Sequence, residues 1–245
     1  MKGILYKIIG FFAFFLCWEI CALLLKSPFI PHLNSIFKEV ALLFVSKLFY
    51  KALIATLIEI ISGVIIAFAF SSFISSIMIL SKSFQKSITP VIDFIRHIPT
   101  IALFPLLMAL FGITPFTRIV LIFLNSFPSI LLSSYYGLKT IDYSVIEAGK
   151  VAGANKLQIL NLIRFPIARG EILNGIKIAI GNSFVAVVVA EMLGATNGLG
   201  FMIMWATNAF NYPEVYAYIS ILAVLGIIIN LIFDKVIKII QGEKE

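Results

Sequence analysis

Long apolar runs separated by short polar segments dominate the pattern of this chain. The runs lie at residues 4–25, 52–80, 88–111, 116–138, 172–193 and 215–240. A membrane-spanning helix needs about 20 consecutive apolar residues, so these runs predict about six transmembrane helices. The period-two alternation of a membrane β-barrel is absent from the sequence, and we therefore predict an all-α polytopic membrane protein.

Two segments between the runs carry shorter apolar patterns. Residues 28–51 place apolar side chains at helical spacing, at Ile36, Val40, Leu43 and Phe44. This spacing predicts a short helix on the outer membrane surface. Residues 194–213 are rich in Gly, Asn and Thr but include an apolar stretch at 199–205, which predicts a re-entrant or interfacial segment.

The whole chain, residues 1–245, is predicted to form a single transmembrane domain. We expect the first span and the outer surface helix within about 1–50, and the core spans within about 52–240. A polar interruption at 142–166 is expected on the cytoplasmic side.

The composition supports a membrane protein. Hydrophobic residues make up 61% of the chain, charged residues 13%, and the mean hydropathy is +1.07. Because a soluble domain has about 25% charged residues, lipid must solvate much of this surface. Two cysteines, Cys17 and Cys21, lie in the first run without metal-ligand spacing, so we expect no metal site.

The net charge of +7 raises the question of nucleic acid, but the positive-inside rule explains it without such a partner. With the N-terminus inside, twelve Lys and Arg residues fall on the inner side, Lys244 among them. Five fall on the outer side: Lys26, Lys38, Lys47, Lys51 and Arg118. We therefore predict that both termini are cytoplasmic.

The polar interruption has a helical pattern of its own. Ser144 and Glu147 have capping-box spacing, which predicts a helix that begins at Ser144. Four small residues then share one face of this helix, where another chain could approach closely: Ala148, Gly149, Ala152 and Gly153. Gly153 is expected to end or bend the helix.

A second short helix is predicted to follow this bend. Asn155 and Gln158 repeat the capping spacing, the helix would run to Ile163, and Pro166 would start the next element. An ordinary cytoplasmic loop with two capped turns is the alternative interpretation of the composition alone.

The spacing of this segment resembles the EAA loop of binding-protein-dependent ABC importer permeases. The family pattern is Glu-Ala-Ala, three residues, Gly, nine residues, Ile, one residue, Leu, Pro. The chain has Glu147-Ala148-Gly149, then Gly153, Ile163, and Phe165-Pro166, and departs at Gly149 and Phe165. Residues 95–99, 175–181 and 188–192 are in addition similar to the nitrate/sulfonate/taurine permease group.

The resemblance implies a type I ABC importer permease fold that works as a dimer, here a homodimer, in the bacterial inner membrane. The EAA segment would dock on a cytoplasmic ATPase, which binds ATP and Mg, so this chain would hold no cofactor and would be no enzyme. The implied coupling residues are Ser144, Glu147, Ala148, Gly149, Ala152, Gly153, Ile163 and Pro166. An extracytoplasmic solute-binding protein would deliver a sulfonate, taurine, nitrate or similar anion, or alternatively a vitamin-precursor heterocycle.

Polar residues and prolines inside the runs are candidates for lining the pathway, although interhelical hydrogen bonding is the alternative role. They are Pro99, Asn125, Ser126, Asn182, Ser183 and Glu191. For Glu191, capping the pathway, contacting substrate and sitting at the membrane interface remain open. Asp93 and Arg96, at i and i+3, are expected to form a structural pair near the inner end.

Two other classes of protein are the rivals of this prediction. A secondary transporter or channel often shows an internal repeat, which the sequence lacks. A membrane enzyme would need a catalytic constellation, and the chain has only two histidines and no clustered carboxylates. The chain also lacks the Gly-x-x-x-x-Gly-Lys-Ser/Thr motif, so nucleotide is expected to bind to a partner.

Overall fold

The computed structural model describes residues 2–241, which fold into helices without a strand. Lys244 of the inner charge count lies outside the described residues. The helices are α1 (Lys2–Leu25), α2 (Leu33–Leu43), α3 (Lys47–Leu80), α4 (Lys82–Arg96), α5 (Phe104–Phe111), α6 (Pro115–Lys139), α7 (Tyr143–Val151), α8 (Lys156–Gln158), α9 (Phe165–Gly194), α10 (Leu199–Asn208) and α11 (Tyr212–Gln241). A 3₁₀ turn (Thr100–Leu103) precedes α5, and a π-helical segment (Ile159–Arg164) joins α8 to α9.

Four helices are long and apolar enough to cross a membrane: α3, α6, the continuous helix Lys156–Gly194, and Tyr212–Ile240 of α11. The segments Lys82–Arg96 and Thr100–Phe111 qualify only as a pair, which is bent by 83°. The predicted third span is therefore a broken one. The predicted first span falls in α1, whose apolar stretch Ile9–Leu25 is shorter than the spans named above.

The directions of the helices show that the broken pair returns the chain across the bundle. Glu59 of α3 contacts Arg118 of α6. One turn later on both helices, a Cβ on Gly63 would lie 2.5 Å from Ile122 Cγ2. Since the contacts advance together, α3 and α6 are parallel, and α4 and α5 must cross back between them.

Helices α6 and α9 run in opposite directions. Ser126 Oγ lies 2.8 Å from Ser183 Oγ, and Gly175, two turns earlier on α9, packs against Ser133, two turns later on α6. The ends Lys47, Pro115 and Gly194 therefore lie at one end of the bundle, which we call the α10 end. The segment α7–α8 lies at the opposite end, the α7 end.

Side-chain caps set the start of three helices in the membrane region. Ser46, Ser81 and Thr114 each accept a hydrogen bond from the backbone N–H three residues later. Such caps satisfy one of the N–H groups that lack a partner in the first helical turn.

Helix α6 lies at the centre of the bundle, and five of its apolar residues have no solvent exposure: Leu121, Ile122, Ile130, Leu131 and Leu138. By contrast, α3 has a row of exposed isoleucines at helical spacing, Ile54, Ile58, Ile61 and Ile65. In a membrane, such an apolar row faces lipid.

The two shorter predicted helices are present. Helix α2 spans Leu33–Leu43, and its buried Leu43 belongs to the apolar cluster that includes Tyr218 of α11. Helix α10, Leu199–Asn208, covers the predicted apolar stretch at 199–205. The position of either helix relative to the membrane surface stays a prediction.

Candidate functional site

The first helix of the coupling segment, residues 142–166, begins one residue before the predicted start. Asp142 is the N-cap residue, no side chain caps the helix, and the predicted Ser144–Glu147 capping box is wrong. Glu147 instead accepts a hydrogen bond at 2.7 Å from Lys150 Nζ, one turn further along α7. The carboxylate points forward because an ammonium group is a stronger partner than a backbone N–H.

Charges on α7 shift one another's pKa. The hydrogen bond from Lys150, followed by that from the Tyr143 hydroxyl, lowers the pKa of the Glu147 carboxyl below its usual value. The same carboxylate raises the pKa of Lys150. At neutral pH the exposed side of α7 therefore carries a charged pair.

The predicted bend at Gly153 is confirmed. Gly153 has φ of +83°, a left-handed conformation that favours glycine. Its N–H donates to Lys150 O at 2.9 Å, and the N–H of Ala154 donates to Gly149 O at 3.0 Å. These two bonds form a Schellman motif, which ends α7 and satisfies its last carbonyls.

The second helix has the predicted start but not the predicted end. Asn155 and Gln158 form a complete capping box, with bonds of 2.9 and 2.8 Å. The helix does not stop at Ile163, because a π-helical segment carries it into α9. Pro166 is the second residue of α9, directly after the π-helical segment, so it lies inside the continuous helix and does not begin it.

The small-residue face of α7 is divided between two roles. Gly149 is buried, and a Cβ at this position would lie 2.5 Å from Ile163 Cδ1. Gly149 therefore lets α7 pack closely on the chain's own second helix, together with buried Ile146. Ala148, Ala152 and Gly153 remain exposed.

Large apolar side chains of the coupling segment lie on its outside. Tyr143 and Leu162 are each 72% exposed, Val151 is 89% exposed, and Leu157 is also exposed. This segment links α6 to α9 beyond the α7 end of the bundle. Exposed large apolar groups of this kind make the segment a candidate surface for a protein partner.

A cavity of about 330 Å³ with a mixed polar and apolar lining lies beside the break between α4 and α5, and we call it the break cavity. Three of the six pathway candidates line it: Pro99, Asn125 and Asn182. Arg96 and Thr100 also line this cavity. Arg96 was expected from the sequence only as part of a structural pair near the inner end, not as a residue that lines a cavity.

The break cavity lies close to the middle of the bundle. Asn125 is ten residues after Pro115 in α6, or about 15 Å along the helix. Asn182 is twelve residues before Gly194 in α9, or about 18 Å. The hydrocarbon core of a bilayer is about 30 Å thick, so both amides lie about half that thickness from the α10 end of the bundle.

Ser126 and Ser183 lie outside this cavity. Their hydroxyls are buried and 2.8 Å apart, and Ser183 also donates to Ala179 O at 2.7 Å. This pair joins α6 to α9, which is the interhelical role that the sequence left open.

Glu191 lies outside the cavity as well and is almost completely buried. Its carboxylate accepts bonds of 2.7 Å from the Thr56 hydroxyl and from the N–H of Gly200. Thr56 in turn accepts the N–H of Leu199 at 2.9 Å. The carboxylate therefore fastens the N-terminal turn of α10 to α3 and α9, where backbone N–H groups favour an anion.

A buried ion pair joins α3 to α6 near the α10 end. Arg118 Nε and Nη2 donate to the two carboxylate oxygens of Glu59 at 2.8 and 2.6 Å, and both side chains are about 5% exposed. Arg118 is the fourth residue of α6, at the α10 end, and its guanidinium is buried against Glu59. Glu59 and Arg118 are the single charges of the second and fourth runs, a signal that indicates this pairing.

Two further pairs of an arginine or a lysine with a carboxylate occur in the described part of the chain. Arg96 Nε lies 3.1 Å from Asp93 Oδ1, which confirms the predicted pair, and each side chain is about half exposed. Lys177 of α9 contacts Asp234 of α11. This pair joins the two helices toward the α7 end.

Comparison with known proteins supports the class of protein that the sequence resembles, the binding-protein-dependent importer permeases. The family model described as binding-protein-dependent transport system inner membrane component matches residues 59–242. The taurine transport system permease protein TauC of Escherichia coli (strain K12) is 30% identical over 220 residues, covering 87% of this chain and 80% of that protein.

Another relative is named for the transport of a different kind of solute. The formylaminopyrimidine transport permease protein ThiX of Halalkalibacterium halodurans is 28% identical over 213 residues, covering 86% of this chain and 84% of that protein. Among solved structures, an inward-facing MetNI methionine ABC transporter has a TM-score of 0.65 at 19% identity. The match covers 78% of this chain and 93% of the MetNI chain, and it shows that the two chains share a fold.

Proposed function

The chain belongs to the family of binding-protein-dependent transport system inner membrane components, and we propose that it forms, with a second copy of itself, the pathway of an ATP-driven importer for a small solute. An ABC importer permease crosses the inner membrane several times and carries out no chemistry of its own. The finer parts of the proposal concern its partners, its orientation and its solute.

The coupling segment is the surface that we assign to a cytoplasmic ATPase. The observation that carries this assignment is the division of α7 into two sides. One side packs on the chain through Ile146 and Gly149, while Val151 and Tyr143 on the other side are 89% and 72% exposed. The close packing of Gly149 on Ile163 makes α7 and the start of α8–α9 a rigid unit. Such a unit would transmit ATPase closure to the spans as a rigid body.

The α7 end is the cytoplasmic end in this proposal, with both termini on that side. The excess of Lys and Arg on the inner side, twelve against five, supports this orientation. The α10 end would then face the solute-binding protein. An impermeant thiol reagent applied to intact cells should label Val45→Cys and not Val151→Cys, and the reverse pattern would overturn the orientation.

A second copy is proposed to cover the exposed face of α9. Gly181 and Asn182 are exposed on this face near mid-membrane depth, and a Cβ at Gly181 would meet no atom within 4 Å. A polar amide at this depth favours a protein or water-filled environment over lipid. A Gly181→Cys variant should cross-link between copies, whereas Ile65→Cys on the lipid-facing row of α3 should not.

The solute is proposed to be small and polar. The volume of the break cavity, about 330 Å³, is at the lower end of the range for small-molecule sites. A taurine-like or other sulfonate solute is the first candidate, from the relative TauC, and a formylaminopyrimidine-like heterocycle is the alternative, from ThiX.

Copurification of Mg-dependent ATPase activity with the tagged chain tests the proposal. Replacing an exposed apolar residue of α7 by a charge, Val151→Asp, should remove most of this activity because the docking surface becomes polar. Val45→Asp is the matched control, since Val45 is 84% exposed at the α10 end. Equal ATPase activity with both variants, or solute uptake without any ATPase, would contradict the proposal.

A further inference from the structure

We propose that the break cavity binds the negatively charged group of a small solute and that Arg96 supplies the positive charge. The role of this site in transport rests on the proposed function, although binding itself requires no ATPase. The inference comes from the lining of the cavity, its depth and the local backbone.

Half of the residues that line the break cavity carry side-chain hydrogen-bond donors, and the other half are Ile and Pro. Arg96 brings a guanidinium, Thr100 a hydroxyl, and Asn125 and Asn182 bring side-chain amides. The Nδ2 group of Asn125 is buried and has no acceptor among the described residues. No carboxylate side chain lines the cavity. A donor-rich lining with one cation is complementary to an anionic group.

The charge of Arg96 is only partly compensated by its neighbour. Asp93 Oδ1 lies 3.1 Å from Nε, and the two side chains are 46 and 47% exposed, so water screens the pair. The two Nη groups of Arg96 make no hydrogen bond within residues 2–241. A guanidinium presents its nitrogens as a planar fork, which suits a carboxylate, sulfonate or other oxyanion.

The backbone at this depth also indicates a ligand site. Helix α4 ends at Arg96 and the 3₁₀ turn begins at Thr100, with an 83° bend between the two segments. Non-helical backbone at membrane depth is tolerated where it is buried in protein or lines a water-filled cavity. An ionisable residue beside such a break is a functional-site candidate, because a charge without a role there is costly.

Charge-selective thiol modification measures the proposed site without knowledge of the natural solute. An Asn182→Cys variant, with Cys17→Ser and Cys21→Ser, places the only thiol at the cavity. The protein in nanodiscs is treated with an anionic reagent, sulfonatoethyl methanethiosulfonate, or with its cationic trimethylammonium counterpart. Relative to Val45→Cys at the exposed α10 end, position 182 should favour the anionic reagent by about tenfold.

Second-site variants assign this preference to Arg96. Arg96→Gln should abolish the preference, Arg96→Lys should retain it, and Asp93→Asn should increase it because the compensating carboxylate is removed. Lys177→Gln is the matched control: it removes a cation of α9 that pairs with Asp234 outside the cavity, and should leave the preference unchanged. If Arg96→Gln does not fold, the unchanged preference of Arg96→Lys and the increased preference of Asp93→Asn still decide the question.

Protection by small probes tests binding directly. Ethanesulfonate should slow the modification of Asn182→Cys, whereas the uncharged ethyl methyl sulfone should not. Equal rates of the two reagents, a preference that survives Arg96→Gln, equal protection by both probes, or no reaction at position 182 would each overturn the proposal. Anion selectivity without copurifying ATPase would leave the binding site standing and contradict the importer function instead.

Discussion

Removal of one partner from the buried Glu59–Arg118 pair should destabilise the protein strongly. In Glu59→Gln the shape of the side chain is kept, but the guanidinium loses its compensating charge. Both side chains are about 5% exposed, and two short bonds of 2.8 and 2.6 Å join them. Loss of one member of such a pair costs about 3–5 kcal/mol, because the remaining charge stays buried without a partner.

The free energy of unfolding in mixed detergent–SDS micelles measures this cost. The double variant Glu59→Gln/Arg118→Gln should lose less than the sum of the single variants, with a coupling energy of about 1–3 kcal/mol. Asp234→Asn removes the more exposed pair with Lys177 and should cost at most about 1 kcal/mol. If the free energy of unfolding of Glu59→Gln lies within about 1 kcal/mol of that of the natural protein, the pair is not the buried contact described.

Three other changes test separate contacts. Thr56→Val removes a donor to the buried carboxylate of Glu191 and should cost about 1–3 kcal/mol in the same unfolding assay; an unchanged stability would contradict the contact. Gly153→Val should strain the left-handed turn by about 1–2 kcal/mol and uncouple ATP hydrolysis from uptake. Gly153→Asn should keep both the turn and the coupling. Equal coupling in the two variants would refute a role of the turn. Lys150→Met should raise the pKa of Glu147 toward its usual value, as read by carbon-13 NMR; the stabilisation from this pair is present at neutral pH and is lost as pH falls through the lowered pKa.

The spans could be predicted because apolar length and helical spacing are local properties of the chain. The runs that became α3, α6, α9 and α11 each contain more apolar residues than a soluble helix needs. The turn at Gly153 and the Asn155–Gln158 cap were predictable for the same reason, since their bonds lie within a few residues.

Contacts between distant residues were not predictable from spacing. Glu191 has its partners at Thr56 and Gly200, and only the fold brings α3 and α10 to this carboxylate. The hydrogen-bond partner of Glu147 was also mispredicted. The backbone N–H of Ser144 and the ammonium group of Lys150 both lie within one helical turn of its carboxylate. The spacing fits both partners, and the carboxylate binds the charged one.

The break cavity is an intermediate case. Pro99, Asn125 and Asn182 were recognisable as polar or helix-breaking residues inside apolar runs, which is a local signal. Their convergence depends on the antiparallel packing of α6 and α9. Arg96 was assigned a structural role near the inner end, because the sequence did not show that the 83° bend follows it.

Cross-linking of the coupling segment to an ATPase is the most direct test of the central claim that α7 is the docking surface. In a background of Cys17→Ser and Cys21→Ser, Val151→Cys labelled with a maleimide-linked benzophenone should form a covalent adduct with an ATPase subunit in native membranes on irradiation. Val45→Cys, equally exposed at the α10 end, should form none. Absence of the adduct at position 151, or an equal yield at position 45, would contradict the claim.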